Sequence, residues 1–225
     1  MSTCTELCTA IPHQTNEDII MPHHIAGRKI DPRVPIMHNE NWVYLDGDVD
    51  KITLLDESSD GRFPVNFGLG KSGRPVDPTY MPTRIRRKGN RGLPIYDVDI
   101  TWGGGLHVTE RFKSIVEAFE PGVHQFFPIQ IEQGGKVIAE RFIFFICNRL
   151  DTLAKDQCVP PVGPDAQYCP IHDGNDRVVF DSTKIGAHHA WHDRFTLGRM
   201  VSNALCDELN AQDFTGFSSR KYDQT

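Results

Sequence analysis

RFKSIVEAFEPGVHQFFPIQIEQGGKVIAERFIFFICNRL, residues 111–150, changes its apolar period midway, and the fold follows from that change. Phe112, Ile115, Val116 and Phe119 recur at i, i+3, i+4 and i+7, the single apolar stripe of a helix. Pro121-Gly122 stops that helix. Beyond it, His124–Ile131 and Phe142–Cys147 read as two apolar strand segments, with Gln133-Gly134-Gly135-Lys136 as the turn between them. A helix feeding an apolar hairpin predicts an α+β fold, with a mixed or antiparallel sheet and a few packed helices. The stretch holds no reactive constellation. It reads as a scaffold that presents a surface.

On the N-terminal side, IYDVDITWG (95–103) reads as a strand, and residues 58–94 are rich in Gly and Pro and read mostly as loop. NWVYLDG (41–47) and KITLLD (51–56) read as short strands that pair as a hairpin. Residues 1–35 hold Pro12, Pro22, Pro32 and Pro35 and little period, so they read as a loosely structured arm. On the C-terminal side, 155–170 is a Pro-rich connection and DRVVFD (176–181) a short strand. TLGRMVSNALCDELNAQD (196–213) reads as a helix with Leu197, Met200, Val201, Ala204, Leu205 and Leu209 on one side. Thr215-Gly216-Phe217 reads as a terminal strand. A boundary near 95–105 would separate an irregular, β-rich region, 1–100, from an α+β domain, 101–225. The two halves could equally share one sheet.

Composition narrows the class. At 39% hydrophobic and 24% charged over 225 residues, the chain is an ordinary soluble globular protein whose core needs no metal or disulfide staple. No stretch approaches the roughly 18 apolar residues of a membrane span. MSTCTELCTAIPHQTNEDII has neither the basic nor the apolar region of a signal peptide, so a cytoplasmic location is expected. Cys4, Cys8, Cys147, Cys158, Cys169 and Cys206 are scattered and fit a reducing compartment. A net charge of −6 argues against a general nucleic-acid binder and permits an acidic surface aimed at a basic partner.

Several motifs resemble chemistry and fall short of it. His188, His189 and His192 would put two zinc ligands on one face if helical, with Asp193 or His172 as a third. Yet HHAWH lacks the glutamate of a zinc protease, and local hydrogen bonding beside Trp191 is the plainer reading. Gly70-Lys71-Ser72 resembles the end of a phosphate loop, but Val65 stands where the first glycine belongs. Asp46, Asp48, Asp50 and Glu57 fall at the calcium-ligating spacing of an EF-hand loop, but Lys51 replaces its glycine and no helices flank it. What remains is an acidic rim. Asp46, Asp48, Asp50, Asp56, Glu57 and Asp60 stand against one base, Lys51, and form the candidate partner-binding surface. RIRRKGNRG (84–92) has the opposite sign without aromatics for base stacking, and reads as a surface loop. Cys147 lies in an apolar strand and Cys206 in a helix, neither beside a base signature. No catalytic residue, metal or cofactor is assigned.

Three blocks carry a resemblance: FKSIVEAFEPGVHQFFPIQI, then FFICNRLDTL (144–153), then HHAWHDRFTLGRMVSNALCDELNAQDFTGF (188–217). In order and phrasing they resemble a bacterial immunity-protein family linked to polymorphic toxin systems, the domain-of-unknown-function 1629 family. The resemblance covers roughly 105–220. It implies a protein that neutralises a toxin delivered by a neighbouring cell, in some cases a nuclease of the HNH superfamily. The expected partner is thus a cognate toxin, with no membrane or nucleic-acid partner, and the expected mechanism is occlusion without catalysis. Two readings from other classes stay open: a metal-dependent enzyme built on His188, His189 and His192, and a nucleic-acid-binding module centred on 84–91.

Overall fold

The computed structural model of the protein describes residues 22–26, 42–55, 73–88, 94–100, 106–163, 177–196 and 198–225. In chain order its strands are β1 (His23–Ala26), β2 (Trp42–Tyr44), β3 (Arg84–Arg87), β4 (Val98–Ile100), β5 (Leu106–Val108), β6 (Gln125–Gln133) and β7 (Lys136–Phe145). Then come β8 (Arg149–Leu150), β9 (Val179–Phe180), β10 (Ala190–Asp193), β11 (Arg199–Val201), β12 (Ser218–Lys221) and β13 (Asp223–Gln224). The α-helices are α1 (Glu110–Phe119), α2 (Ser182–Ile185) and α3 (Asn203–Ala211). The fold is α+β with strands in the majority. No helix among the described residues is long and apolar enough to cross a membrane.

The central helix and hairpin form as their pattern dictates. The Thr109 side chain caps α1 by accepting the Phe112 N–H at 3.3 Å. Phe112 and Val116 are buried, with Ile115 and Phe119 packed beside them. After Pro121-Gly122 the chain enters β6, turns, and returns as β7. Gly134 and Gly135 have φ of 60° and 80°, the paired left-handed conformations a tight hairpin turn demands. Phe126 and Phe144 stack across the hairpin with centroids 4.7 Å apart.

This hairpin is the middle of a six-stranded sheet in the order β2-β3-β6-β7-β5-β4, antiparallel except for β3 beside β6. Strands from before and after residue 95 thus hydrogen-bond in one sheet. Trp42 and His107 stand four places apart in that order, a separation of about 19 Å if the sheet were flat. Their rings nevertheless meet edge-on at 6.3 Å, so the sheet is strongly curled. Its inner face holds Ile85, Ile129, Ile131, Ile143 and Phe145 with Ile52, Leu54 and Val76. His107 is buried on this inner side, and burial, with Arg141 nearby, pushes its pKa down to about 3. The outer face carries α1 and α3 over Val98, Leu106, Val108 and Phe144. A second sheet, β12-β1-β11-β10-β8, lies behind a third apolar cluster of Trp191, Phe195, Met200, Phe180 and Leu153. β13 and β9 form a separate parallel pair.

Several expected elements are different. β2 pairs with β3, not with the described part, 51–55, of the expected partner strand; the chain there follows a short 3-10 turn at Val49–Lys51 and bridges from Leu54 to Val76. Residues 84–87, expected as loop, are strand β3, with Arg84 and Arg86 exposed and Ile85 and Arg87 buried. The expected helix over 196–213 begins only after Ser202, which caps α3 by accepting the Leu205 N–H at 3.2 Å. Met200 and Val201 belong to β11. The residues that read as one helical stripe are a buried strand followed by a helix, two elements whose short apolar runs share a composition. Thr215-Gly216-Phe217 is a turn leading to β12. Of the N-terminal arm, β1 is described, and it is wedged between β12 and β11.

Leu205 and Leu209 are fully buried in the cluster that joins α3 to α1 and the sheet. Leu205→Ala is therefore expected to cost roughly 2–5 kcal/mol of folding stability. Thermal melts should show the loss as a lower melting temperature. A variant that melts like the parent would show that Leu205 adds nothing to the stability of the core.

Candidate functional site

The densest polar arrangement centres on Glu120, the residue that ends α1. Its carboxylate is buried. Oε2 accepts from His124 Nε2 at 2.8 Å and from the Ala190 N–H at 2.7 Å; Oε1 accepts from Asn148 Nδ2 at 3.0 Å. His188 Nδ1 lies 3.6 Å from Oε1. Asn148 also donates to the Ala190 carbonyl at 2.9 Å. His124 Nδ1 accepts the Cys147 N–H at 3.1 Å, which places the ring hydrogen on Nε2, where it is donated to Glu120. Burial alone would raise the Glu120 pKa. The hydrogen bond from His124, with those of the His189 and Ala190 amides, outweighs it and holds the carboxyl below its usual range.

Cys147, His124 and Glu120 have the residue types of a cysteine-nucleophile triad but not its geometry. The thiol donates to the Phe145 carbonyl at 3.4 Å, and it is the Cys147 backbone that reaches His124. Burial pushes the thiol pKa up to about 11, the wrong direction for a nucleophile. This cluster ties elements together and is not set up for covalent chemistry.

The three candidate histidines diverge. HHAWHD leads into strand β10, not a helix, so His188 and His192 are not one helical turn apart. His188 faces Glu120, His189 Nδ1 pairs with Ser202 Oγ at 2.9 Å, and His192 is buried opposite Arg149 and Arg199 on the neighbouring strands. Asp193, expected as a third ligand, is fully buried and occupied. It accepts from the Thr152 N–H and hydroxyl at 2.8 Å each, and from the Phe195 and Thr196 N–H groups at 2.8 and 3.0 Å. Thr152 in turn receives Trp191 Nε1 at 3.2 Å. Burial raises the Asp193 pKa despite these donors. Among the described residues no group of three or more His, Cys, Asp or Glu is placed to hold a metal ion. His172 lies outside them.

The acidic rim is divided in its duties. Asp46 is a clamp: Oδ1 accepts from the Thr83 and Arg84 N–H groups at 2.8 and 3.0 Å, and Oδ2 from Thr83 Oγ1 and Arg84 Nε at 2.8 and 3.0 Å. These bonds overcome partial burial and lower its pKa to about 2. Asp48 pairs with Lys51 at 2.8 Å and stays partly exposed, and Asp50 is exposed. Asp56, Glu57 and Asp60 lie outside the described residues, as do Gly70-Lys71-Ser72. The basic run is divided too. Arg84 reaches Asp46 and, at 3.6 Å, Glu132; Arg87 is buried and donates to the Pro94 carbonyl at 3.4 Å. That leaves Arg86 and Lys88 as the exposed bases without a carboxylate beside them among the described residues of the run, too few for a phosphate track.

A family model describing the immunity protein family (Imm11) matches residues 36–224, every described element from β2 onward. The chain belongs to this immunity protein family. The match begins well before residue 105 and so takes in β2, the rim and β3. No curated protein matches the chain. Sequence reasoning misses Glu120 and His124 as a site. Their spacing across Pro121-Gly122 is legible, but their partners Asn148 and Ala190 come from distant segments.

Glu120→Gln would put an amide N–H against groups that already donate. It is expected to cost about 2–4 kcal/mol. The Glu120 pKa is lower folded than unfolded, so its contribution is complete above about pH 4.3 and disappears as pH falls through the folded value. Asp193, with its pKa raised, contributes in the opposite sense. Melting curves of parent and variant between about pH 3 and 7 should therefore converge at the acid end. A constant gap would assign the loss to packing.

Proposed function

We propose that this immunity-family chain acts in the cytoplasm by binding a cognate toxin and covering its active site or substrate channel, with no chemistry of its own. The observation that carries the reading is the family match across 36–224, which takes in the six-stranded sheet, the rim and every strand of the five-stranded sheet but β1. Two further features support it. The polar clusters bind the fold together, and the one described thiol that sits in a triad-like cluster is disarmed by burial. The net charge of −6 suits a basic partner such as a nuclease, which must hold phosphate.

The direct test is to co-express the chain with the toxin domain encoded beside it. Growth rescue, a stoichiometric complex and loss of toxin activity in vitro are the expected results. Rescue without any complex would point to chemistry on the toxin or its product and would sink the occlusion mechanism.

Within this reading the acids of the rim other than Asp46 steer association. Asp48→Lys, Asp50→Lys and Glu57→Lys together should slow association about tenfold or more at low salt and flatten its salt dependence, while melting hardly changes. Stopped-flow association rates at several ionic strengths decide this. Asp46 is left out because it holds Thr83 and Arg84. Rates equal to the parent's at every ionic strength would turn the rim away from the toxin.

A further inference from the structure

β7 is longer than the strand beside it. β5 covers β7 only at Phe142, Ile143 and Phe144, because β5 ends at Val108 and α1 starts at Glu110. The other side of β7 is paired along its length with β6, and β6 is backed in turn by β3 at Gln130–Glu132. From Lys136 to Glu140, then, the outer edge of β7 has no partner strand among the described residues. Of its carbonyls, that of Glu140 accepts from Arg141 Nη1 at 2.9 Å. The side chains here are exposed as well, and two are large and apolar: Val137 is 50% exposed and Ile138 44%. An open edge with apolar side chains is a template for another extended strand.

The order of residues along this edge selects the strand. KVIAE is complementary to itself when two copies run antiparallel about Ile138. Lys136 then faces Glu140 of the second copy, Val137 faces Ala139, and Ile138 faces its own equivalent, with each charge pair formed twice by symmetry. Lys136 has no carboxylate partner within the described residues, and Glu140 has only a 3.4 Å contact from Gln130 Nε2. Both charges are therefore available. An unrelated strand would have to bring a base and an acid at the same four-residue spacing.

We propose that the outer edge of β7, Lys136–Glu140, is a homodimer interface in which a second copy of this chain adds its own β7 antiparallel, joining two six-stranded sheets into one. The contact is short, so the dimer is weak and concentration-dependent. Its use follows from the sheet order. Arg84 on β3 links Asp46 of the rim to Glu132 on β6, the cross-strand neighbour of Val137, so the rim is tied to β7 across two strand pairs. Dimerisation through β7 leaves β2 at the far edge of each sheet and gives one particle two acidic rims.

Charge swapping tests the register. Sedimentation of the full chain between about 1 and 500 μM should show a monomer–dimer equilibrium. Lys136→Glu and Glu140→Lys, each placing like charges opposite one another, should each weaken dimerisation about tenfold or more with unchanged melting. The double variant Lys136→Glu/Glu140→Lys should recover to within about threefold of the parent. Ile138→Cys should yield a disulfide-linked dimer under oxidation that the parent, with its native cysteines, does not form. A monomer at every concentration, a dimer indifferent to the single swaps, or a double variant as weak as the singles would overturn the proposal. So would amide protection at 136–140 that appears only when the toxin domain is added, which would give this edge to the toxin.

Discussion

The Glu120 carboxylate is the contact on which the arrangement of this molecule depends. It sits where α1 ends, one turn before β6 begins, and it gathers the start of β6 through His124, the β7–β8 link through Asn148, and β10 through the Ala190 amide. The first belongs to the six-stranded sheet and the last to the five-stranded one. A buried charge with several donors is tolerable only when every donor is in place, so this one group makes the docking of two sheets cooperative. Asp193 also gathers several donors, at the far end of β10 and within one sheet, closing the turn that follows it onto Thr152. The two carboxylates respond to acid in opposite ways because donors outweigh burial at Glu120 and burial outweighs donors at Asp193.

The consequence is a rigid frame with its polar groups spent inward. The outward-looking features are at the margin of the curled sheet: the rim after β2, the exposed face of β3, and the hairpin of β6 and β7. Arg84 holds these together, bridging Asp46 and Glu132. For a protein of an immunity family this division makes physical sense. The occlusion proposed above asks for a surface whose shape does not change on binding, because ordering a loose surface would subtract from affinity.

Much of the central scaffold is legible because it is local. The stripe of Phe112, Ile115, Val116 and Phe119, the Pro121-Gly122 stop and the Gly134-Gly135 turn each depend on neighbours in sequence, and each forms as the spacing implies. The misreadings have separate causes. Met200 and Val201 join Leu205 in the apolar pattern because a short buried strand and a buried helical turn have the same composition, and only the cap at Ser202 separates them. Residues 84–87 look like loop from their arginines. Their strand character comes from β2 and β6 on either side, and Arg87 is tolerated inside because the Pro94 carbonyl receives it.

Periodicity, turn residues and block order belong to the chain alone, and they suffice for the α+β class, the helix and hairpin at the centre, and kinship with an immunity family. Which polar residues are structural is a different matter, settled by the packing of distant segments. Asp46 becomes a clamp, His188, His189 and His192 go to three different neighbours, and Glu120 becomes the junction of two sheets. The physical reason is that a side chain's role is set by which donors and acceptors reach it, and here those come from stretches far away in sequence.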